Sequence, residues 1–158
     1  SAKLEVKEYI NIIKDYKPRL PVVIDTEDAD GWRGKNGNPS WKLLADMLVY
    51  QLNELEQAGY FAMYYVNKHW YDNLIKANSK LSNYALWLAH WYISSPSVPC
   101  GLWQYSAKGK INGINGDVDL NKMYVDYPTI IKDAKLNNHG EVKKYTIDEI
   151  IKYIKELN

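Results

Sequence analysis

The sequence predicts an α/β fold built on a parallel sheet, and three features of the chain support this. Apolar runs with the length of buried strands occupy residues 20–24, 60–66 and 84–89. The segments between the first and third runs carry apolar residues at helical spacing, and strand–helix alternation of this kind is typical of a parallel sheet. With 158 residues, 46% of them hydrophobic, the chain is long enough to bury the core of one domain.

The chain begins with a helix and a strand. Apolar side chains at helical spacing predict a helix over residues 2–15, and Pro18 ends it. The run 20–24 lies between proline and acidic residues, as expected for a strand that is buried on both faces. A polar, glycine-rich loop is predicted over residues 28–38.

A second strand–helix unit follows this loop. Asn38 and Pro39 fit the N-cap and first position of a long helix, and Gly59 fits the position just past its end. The run 60–66 then predicts the second strand, and a short helix is expected over residues 69–76.

Three further strands are predicted in the next part of the chain. The third and fourth occupy residues 84–89 and 101–105, and a fifth includes residues 118–120. A glycine-rich hairpin over residues 108–116 precedes the fifth strand.

The C-terminal segment differs in character. Residues 136–144 are polar, and a capping box at Thr146 then begins a closing helix with one apolar face. We therefore predict one folded domain over residues 1–136 and a polar linker plus helix over residues 137–158. The helix could pack on the domain or lead towards a second domain.

The charge and the cysteine and histidine content of the chain argue against several classes of ligand and partner. The net charge is +1, from 20 basic and 19 acidic residues, so no global charge favours nucleic acid or an anionic membrane as partner. Cys100 is alone, and three histidines (His69, His90 and His139) lack ligand-like spacing, so we expect neither a disulfide framework nor a zinc site. No transmembrane run or signal peptide is recognised, and we expect synthesis in the cytoplasm.

The first strand ends in an unusual acidic cluster. Asp25 and Glu27 are two positions apart, so on a strand their side chains share one face, with Cα atoms roughly 6.6 Å apart. Like charges at this range raise one pKa, and a carboxyl group that keeps its proton can act as a general acid on a glycosidic oxygen. The same pair could instead hold a divalent cation, or form a solvated acidic loop.

Aromatic and amide side chains occur at the ends of the later strands. Tyr65, Trp87, Trp103 and Gln104 would give a cleft apolar faces and hydrogen-bonding groups, which a pyranose ring needs. Each could alternatively be a core residue whose polar tip is satisfied, and for Trp91 we favour that core interpretation.

Five short motifs of the chain, taken in their order along the sequence, resemble those of glycoside hydrolase family 25. These are lysozymes of the N-acetylmuramidase type, common as phage endolysins and bacterial autolysins. The resemblance covers about residues 5–135. The motifs are VVIDTE at 22–27, YVN at 65–67, LWLA at 86–89, LWQYS at 102–106 and GINGDVDLN at 113–121.

The resemblance implies a fold, a reaction and a site. The fold is an irregular β/α (TIM-like) barrel, and the reaction is hydrolysis of the β-1,4 bond between N-acetylmuramic acid and N-acetylglucosamine in bacterial peptidoglycan. No metal or organic cofactor is needed. Glu27 matches the general acid/base, Asp25 the carboxylate that stabilises an oxazolinium or oxocarbenium charge, and Asp119 a further active-site aspartate. Matching cleft positions are Tyr65, Trp87, Trp103 and Gln104.

One departure from the family pattern concerns the N-terminus. The family has strands, one carrying an aspartate, before the helix that leads into D-x-E, whereas this chain starts within that helix. We therefore expect an N-terminally incomplete barrel, through trimming, through a split product whose second chain supplies these strands, or in a degenerate relative. Two alternatives to a muramidase stay open: a non-catalytic module that binds cell-wall glycan, and another sugar hydrolase that prefers chitin oligomers.

Overall fold

A computed structural model describes residues 1–28 and 30–140 and shows a curled, five-stranded sheet that forms half of a barrel. The strands lie side by side in chain order, and the first four are parallel, while the fifth is antiparallel to the fourth. They are β1 (Val22–Asp25), β2 (Ala62–Asn67), β3 (Ala85–Ala89), β4 (Leu102–Gly109) and β5 (Val118–Met123). The predicted α/β class is confirmed.

Five α-helices precede, connect or follow these strands in the described part of the chain. They are α1 (Ala2–Ile13), α2 (Trp32–Lys35), α3 (Trp41–Gln57), α4 (Lys68–Ala77) and α5 (Tyr127–Asp133), with a 3₁₀ helix at Ser79–Asn83. None of the helices described is long and apolar enough to cross a membrane. The closing helix predicted from Thr146 lies outside the described residues, and the domain boundary at 136 stays a prediction.

The start of α3 differs from the prediction. The N-cap is Ser40, whose Oγ accepts the Leu43 backbone N–H at 3.2 Å. Asn38 instead adopts a left-handed conformation, with φ of 51°, in the turn before the helix. The predicted N-cap at Asn38 was therefore wrong, although Gly59, with φ of 85°, does lie just past the C-terminal end.

Two helices were not predicted. The four-residue α2 falls inside the predicted loop. For α5 a capping signal was present in the sequence, because Asp126 accepts the Thr129 backbone N–H at 3.2 Å and Pro128 follows in the first turn.

The helices α1, α3 and α4 cover the outer face of the sheet. Alternate strand residues point towards them, and the resulting core excludes water almost completely. Its strand members include Val22, Ile24, Tyr64, Val66, Leu86 and Leu88, and its helix members include Val6, Leu48, Leu52, Leu55 and Leu74.

A smaller core fills the inner face at the N-terminal ends of the strands. Met63 from β2 packs there against Tyr127 and Ile131 of α5, together with the half-buried Val23 and Leu102. Since α5 covers only this end of the inner face, the C-terminal ends of the parallel strands are left open. That edge of the sheet can therefore hold a site.

We expect Gly101→Ala to destabilise the protein because Tyr127 packs directly against this glycine. An added Cβ would lie 1.6 Å from the Tyr127 hydroxyl oxygen and 2.6 Å from its ring carbon Cζ. Relief of such a clash in a packed core typically costs about 1–3 kcal/mol of unfolding free energy. Thermal unfolding followed by circular dichroism measures this loss. Gly34→Ala is the matched control, since no atom lies within 4 Å of its added Cβ, and an equal effect of both would contradict the prediction.

Candidate active site

A cleft of about 310 Å³ lies at the C-terminal ends of the strands, on the inner face of the sheet. Asp25, Tyr65 and Trp87 are direct neighbours across β1, β2 and β3, so their side chains project from one face in a row. Gln104 of β4 and Val23 of β1 also line the cleft. The structure therefore brings together side chains from four parallel strands at this edge.

Three carboxylates surround this cleft, which we call the acidic cleft: Asp25, Glu27 and Asp119. Glu27 follows β1 by two residues, and its position is supported by the Thr26 backbone N–H, which donates to the Tyr65 carbonyl oxygen at 3.0 Å. Asp119 arrives from β5, because the antiparallel hairpin returns the chain along β4. All three candidate catalytic residues thus line one cavity.

The surroundings raise the pKa of two of these carboxyl groups. Partial burial is the main cause for Glu27, and the negative charges of Asp25, Asp119 and Asp30 raise its pKa further. The pKa of Asp25 is raised by burial alone. Burial and three neighbouring negative charges therefore all favour the protonated form of Glu27.

Tyr65 is held as a hydrogen-bond donor. Its hydroxyl donates to Gln104 Oε1 at 3.2 Å. Burial raises the pKa of Tyr65 to about 12, and the nearby charge of Glu27 adds to this increase, while the bond to Gln104 opposes it. The phenol therefore keeps its proton at any pH at which the protein is expected to work.

Two aromatic side chains extend the same network. The Trp91 indole N–H donates to Gln104 Oε1 at 2.9 Å, so this oxygen accepts two hydrogen bonds. Trp87 packs edge-on against Tyr65 with ring centroids 5.2 Å apart, and its indole N–H donates to Asn121 Oδ1 at 2.8 Å. The walls of the cleft are thus fixed by packing and hydrogen bonds before any ligand binds.

The structure does not bring Trp103 to the cleft, although the resemblance implied a place there. Trp103 is 2% exposed, and its indole N–H donates to the His90 carbonyl oxygen at 2.8 Å. Consecutive residues on a strand face opposite sides of the sheet, so Trp103 and Gln104 cannot both point inwards. Gln104 lines the cleft, and Trp103 packs on the other side against Tyr105.

Sequence reasoning missed the roles of Trp91 and Asn121. The core interpretation of Trp91 was wrong, because its side chain is 41% exposed, although its polar tip is satisfied by Gln104. Asn121 lies within the GINGDVDLN motif but received no role. The available signal was its position two residues after Asp119, which places both side chains on one face of β5.

The arrangement has the groups that glycoside cleavage needs. A protonated carboxyl group can donate to the leaving oxygen, and nearby carboxylates can stabilise positive charge on the sugar. The rings of Tyr65 and Trp87 offer apolar faces to a pyranose. Within residues 1–28 and 30–140, no group of three histidine, cysteine or acidic side chains is arranged to hold a metal ion.

Comparison with known proteins places this site in a family context. Residues 1–114 match the model of glycosyl hydrolases family 25, a segment that includes Asp25, Glu27 and Gln104 and ends before Asp119. Lysozyme M1 of Streptomyces globisporus is 39% identical over 64 residues, which are 37% of this chain and 22% of that protein.

Solved structures agree at the level of the fold. A bacterial lysozyme from Streptomyces coelicolor superimposes with a TM-score of 0.67 at 22% identity, over 89% of this chain and 68% of its own. The CTP1L endolysin gives a TM-score of 0.60 at 25% identity, over 85% of this chain and 44% of its own. The matched segments thus cover less than half of that endolysin and about a fifth of Lysozyme M1. With a family match over most of its length and the same half-barrel sheet, the chain belongs to family 25 of the glycosyl hydrolases.

Proposed function

We propose that this chain hydrolyses bacterial peptidoglycan at the β-1,4 bond between N-acetylmuramic acid and N-acetylglucosamine. The observation that carries the proposal is the position of Glu27, a carboxyl group with a raised pKa in a cleft that it shares with Asp25 and two aromatic rings. Membership of the family adds support, because lysozymes such as Lysozyme M1 are among the relatives that match in sequence.

In the proposed reaction, Glu27 donates its proton to the glycosidic oxygen as the bond to the anomeric carbon breaks. Asp25, at the end of the same strand and in the same cleft, stabilises the positive charge that develops on the sugar or on its N-acetyl group. Glu27 then accepts a proton from the water that completes the hydrolysis. Asp119 adds negative charge to the same cavity and helps to keep Glu27 protonated beforehand.

The test is an assay on purified peptidoglycan that identifies the bond broken. Reduction of the new ends with borohydride, followed by acid hydrolysis, distinguishes muramitol from glucosaminitol. We expect muramitol. Glucosaminitol would show that the other glycosidic bond is cleaved, and faster cleavage of chitin oligomers in a parallel assay would favour a different sugar hydrolase.

A second candidate function is binding to cell-wall glycan without cleavage. The observation in its favour is that β1, which carries Asp25, is an edge strand of the described sheet, so the acidic cleft is open on that side. A pelleting assay with cell walls, run beside the reducing-end assay, separates the two functions. Co-sedimentation without any new reducing ends would support the binding module and contradict the hydrolase.

A further inference from the structure

A second cavity of about 310 Å³ lies beside Trp91, and we call it the side cavity. One wall is the loop after β3, which contributes Trp91, Tyr92 and Ser94, and the other is the outer part of β4, which contributes Tyr105, Ser106 and Lys108. None of these side chains has a role in the hydrolysis proposed above, except that Trp91 is hydrogen-bonded to Gln104.

The backbone is irregular in both segments that form the side cavity. The pairing of β4 with β5 shifts register between Gln104 and Ser106, and again between Ser106 and Gly109. Bulges of this kind change the direction of side chains and are common beside active sites. On the loop, Tyr92 has a left-handed backbone with φ of 61°.

Tyr92 is a second, independent sign of a binding role. A bulky residue in the left-handed region is strained. The ring of Tyr92 offsets little of this strain by packing, since the residue is 87% exposed. A strained residue that presents an aromatic ring to solvent is understandable if a ligand contacts that ring.

The charge of the side cavity is opposite to that of the acidic cleft. Lys108 lines it, no acidic residue is among its described lining residues, and the Lys122 ammonium lies 5.4 Å from the Tyr105 ring centroid. Lys110, two residues further along the hairpin, is already paired with Asp117 at 2.6 Å. An uncharged sugar gains little from such a site, whereas a carboxylate gains a charge-assisted hydrogen bond.

Trp91 connects the two cavities. The Trp91 side chain lines the side cavity, while its indole N–H donates to the Gln104 oxygen that belongs to the acidic cleft. A ligand with its sugar in the acidic cleft would reach the side cavity past this tryptophan.

We propose that the side cavity binds the acidic peptide branch of a substrate whose sugar occupies the acidic cleft. This inference rests on the proposed function, because peptidoglycan carries short peptides with free carboxylates on its muramic acid. The aromatic rings would pack on the peptide backbone and small side chains. The hydroxyls of Ser94 and Ser106 would bond its amides, and Lys108 would pair with a carboxylate.

The test compares two soluble ligands by NMR titration, which resolves millimolar affinities: a disaccharide-peptide from peptidoglycan and the same disaccharide without its peptide. We expect the peptide-bearing ligand to bind at least tenfold more tightly. Lys108→Glu should weaken binding of this ligand about tenfold more than it weakens binding of the bare disaccharide. The control Lys132→Glu, with the same charge change on α5, should leave that ratio unchanged.

Tyr92→Gly is a variant in which a loss of affinity cannot be attributed to unfolding. Glycine accepts the left-handed backbone without strain, so Tm should stay the same or rise while affinity for the disaccharide-peptide falls. Equal affinities of the two ligands for the unchanged protein, or a Lys108→Glu effect that is the same on both, would overturn the proposal.

The reducing-end assay on glycan strands stripped of peptides tests the proposed function separately. Cleavage of stripped strands without any preference for the peptide-bearing ligand would refute the side-cavity proposal alone. A peptide preference that Lys108→Glu abolishes, without any cleavage, would refute the hydrolase alone.

Discussion

Glu27→Gln is expected to lower the rate of peptidoglycan hydrolysis by about 10²- to 10⁴-fold, the usual contribution of a positioned general acid. Glutamine has nearly the same shape but cannot transfer an acidic proton to the leaving oxygen. Sedimentation with cell walls should change little, because the aromatic walls of the acidic cleft stay intact. Release of reducing ends from purified peptidoglycan measures the loss.

The fold should tolerate this substitution, so the loss cannot be attributed to unfolding. The pKa of Glu27 is raised in the folded protein, which means that ionised Glu27 is less favourable there than in the unfolded chain. The contribution of Glu27 to the free energy of unfolding is therefore fully present at a pH below its ordinary pKa. It is lost as pH rises through the raised pKa of the folded protein. At neutral pH, glutamine removes that unfavourable charge, and Tm should be unchanged or slightly higher.

The pH dependence of kcat/KM should show the same groups. On the alkaline side, activity should fall as pH rises through the raised pKa of Glu27, because the proton donor is lost. On the acid side it should fall as Asp25 becomes protonated, at a pH above the usual aspartate range, because burial raises the pKa of Asp25. Because the two carboxyl groups interact, the apparent pKa values from the two limbs of the pH profile belong to the pair and not to either group alone.

Two variants serve as controls for Glu27. Glu8→Gln makes the same chemical change on α1, away from the residues that line the cleft, and should leave activity unchanged. Asp30→Asn removes one of the charges that raise the pKa of Glu27, so it should move the alkaline limb to lower pH. If Glu27→Gln kept more than a tenth of the activity, Glu27 would not be the general acid.

Local patterns in the sequence predicted the sheet and much of the acidic cleft. The first three strands were recognisable because most of their residues are buried or half-buried, which favours continuous apolar runs. The pairing of Asp25 with Glu27 followed from the two-residue repeat of an extended chain, and both do line the cleft. Tyr65, Trp87 and Gln104 followed from aromatic and amide side chains at strand ends, while Asp119 was assigned by resemblance alone, and all four line the cleft too.

The remaining features depend on tertiary structure that the sequence does not display. Alternation shows that only one of Trp103 and Gln104 faces inwards, but the choice depends on how β4 is placed in the sheet. The register of β4 against β5 shifts twice, so the residues that face each other cannot be found by counting from the hairpin turn. The hydrogen bond from Trp87 to Asn121 could therefore not be predicted. Trp91 is exposed because it lies on an irregular loop.

Asn137→Gly is expected to lower the free energy of unfolding by about 3 kcal/mol, a large loss for the substitution of a polar residue. Asn137 is fully buried, and its Oδ1 accepts the Phe61 backbone N–H at 2.7 Å. Its Nδ2 donates to the carbonyl oxygens of Pro18 and Leu20, at 3.1 and 2.9 Å. One side chain therefore satisfies backbone groups before β1 and before β2, and its loss leaves them without partners.

The role of Asn137 could not be predicted because its segment reads as polar loop. Residues 136–144 lack an apolar pattern, and an asparagine there suggests solvent exposure. In the structure its backbone has φ of 52°, which asparagine tolerates better than most residues, and this conformation accompanies burial of the amide. Burial then makes each hydrogen bond costly to lose.

The neighbouring Asn138 provides a matched control. It has the same residue type and a similar backbone, with φ of 62°, but it is only half-buried: its amide makes exposed hydrogen bonds to the carbonyl oxygens of Lys14 and Tyr16 and a longer one, 3.3 Å, to the Tyr60 hydroxyl. Water can replace the two exposed bonds, so Asn138→Gly should cost clearly less than Asn137→Gly, about 1 kcal/mol. Urea unfolding of both variants gives the comparison. Because glycine adds the same flexibility to the unfolded chain at either position, equal losses would assign the cost to the backbone and contradict the role of the buried hydrogen bonds.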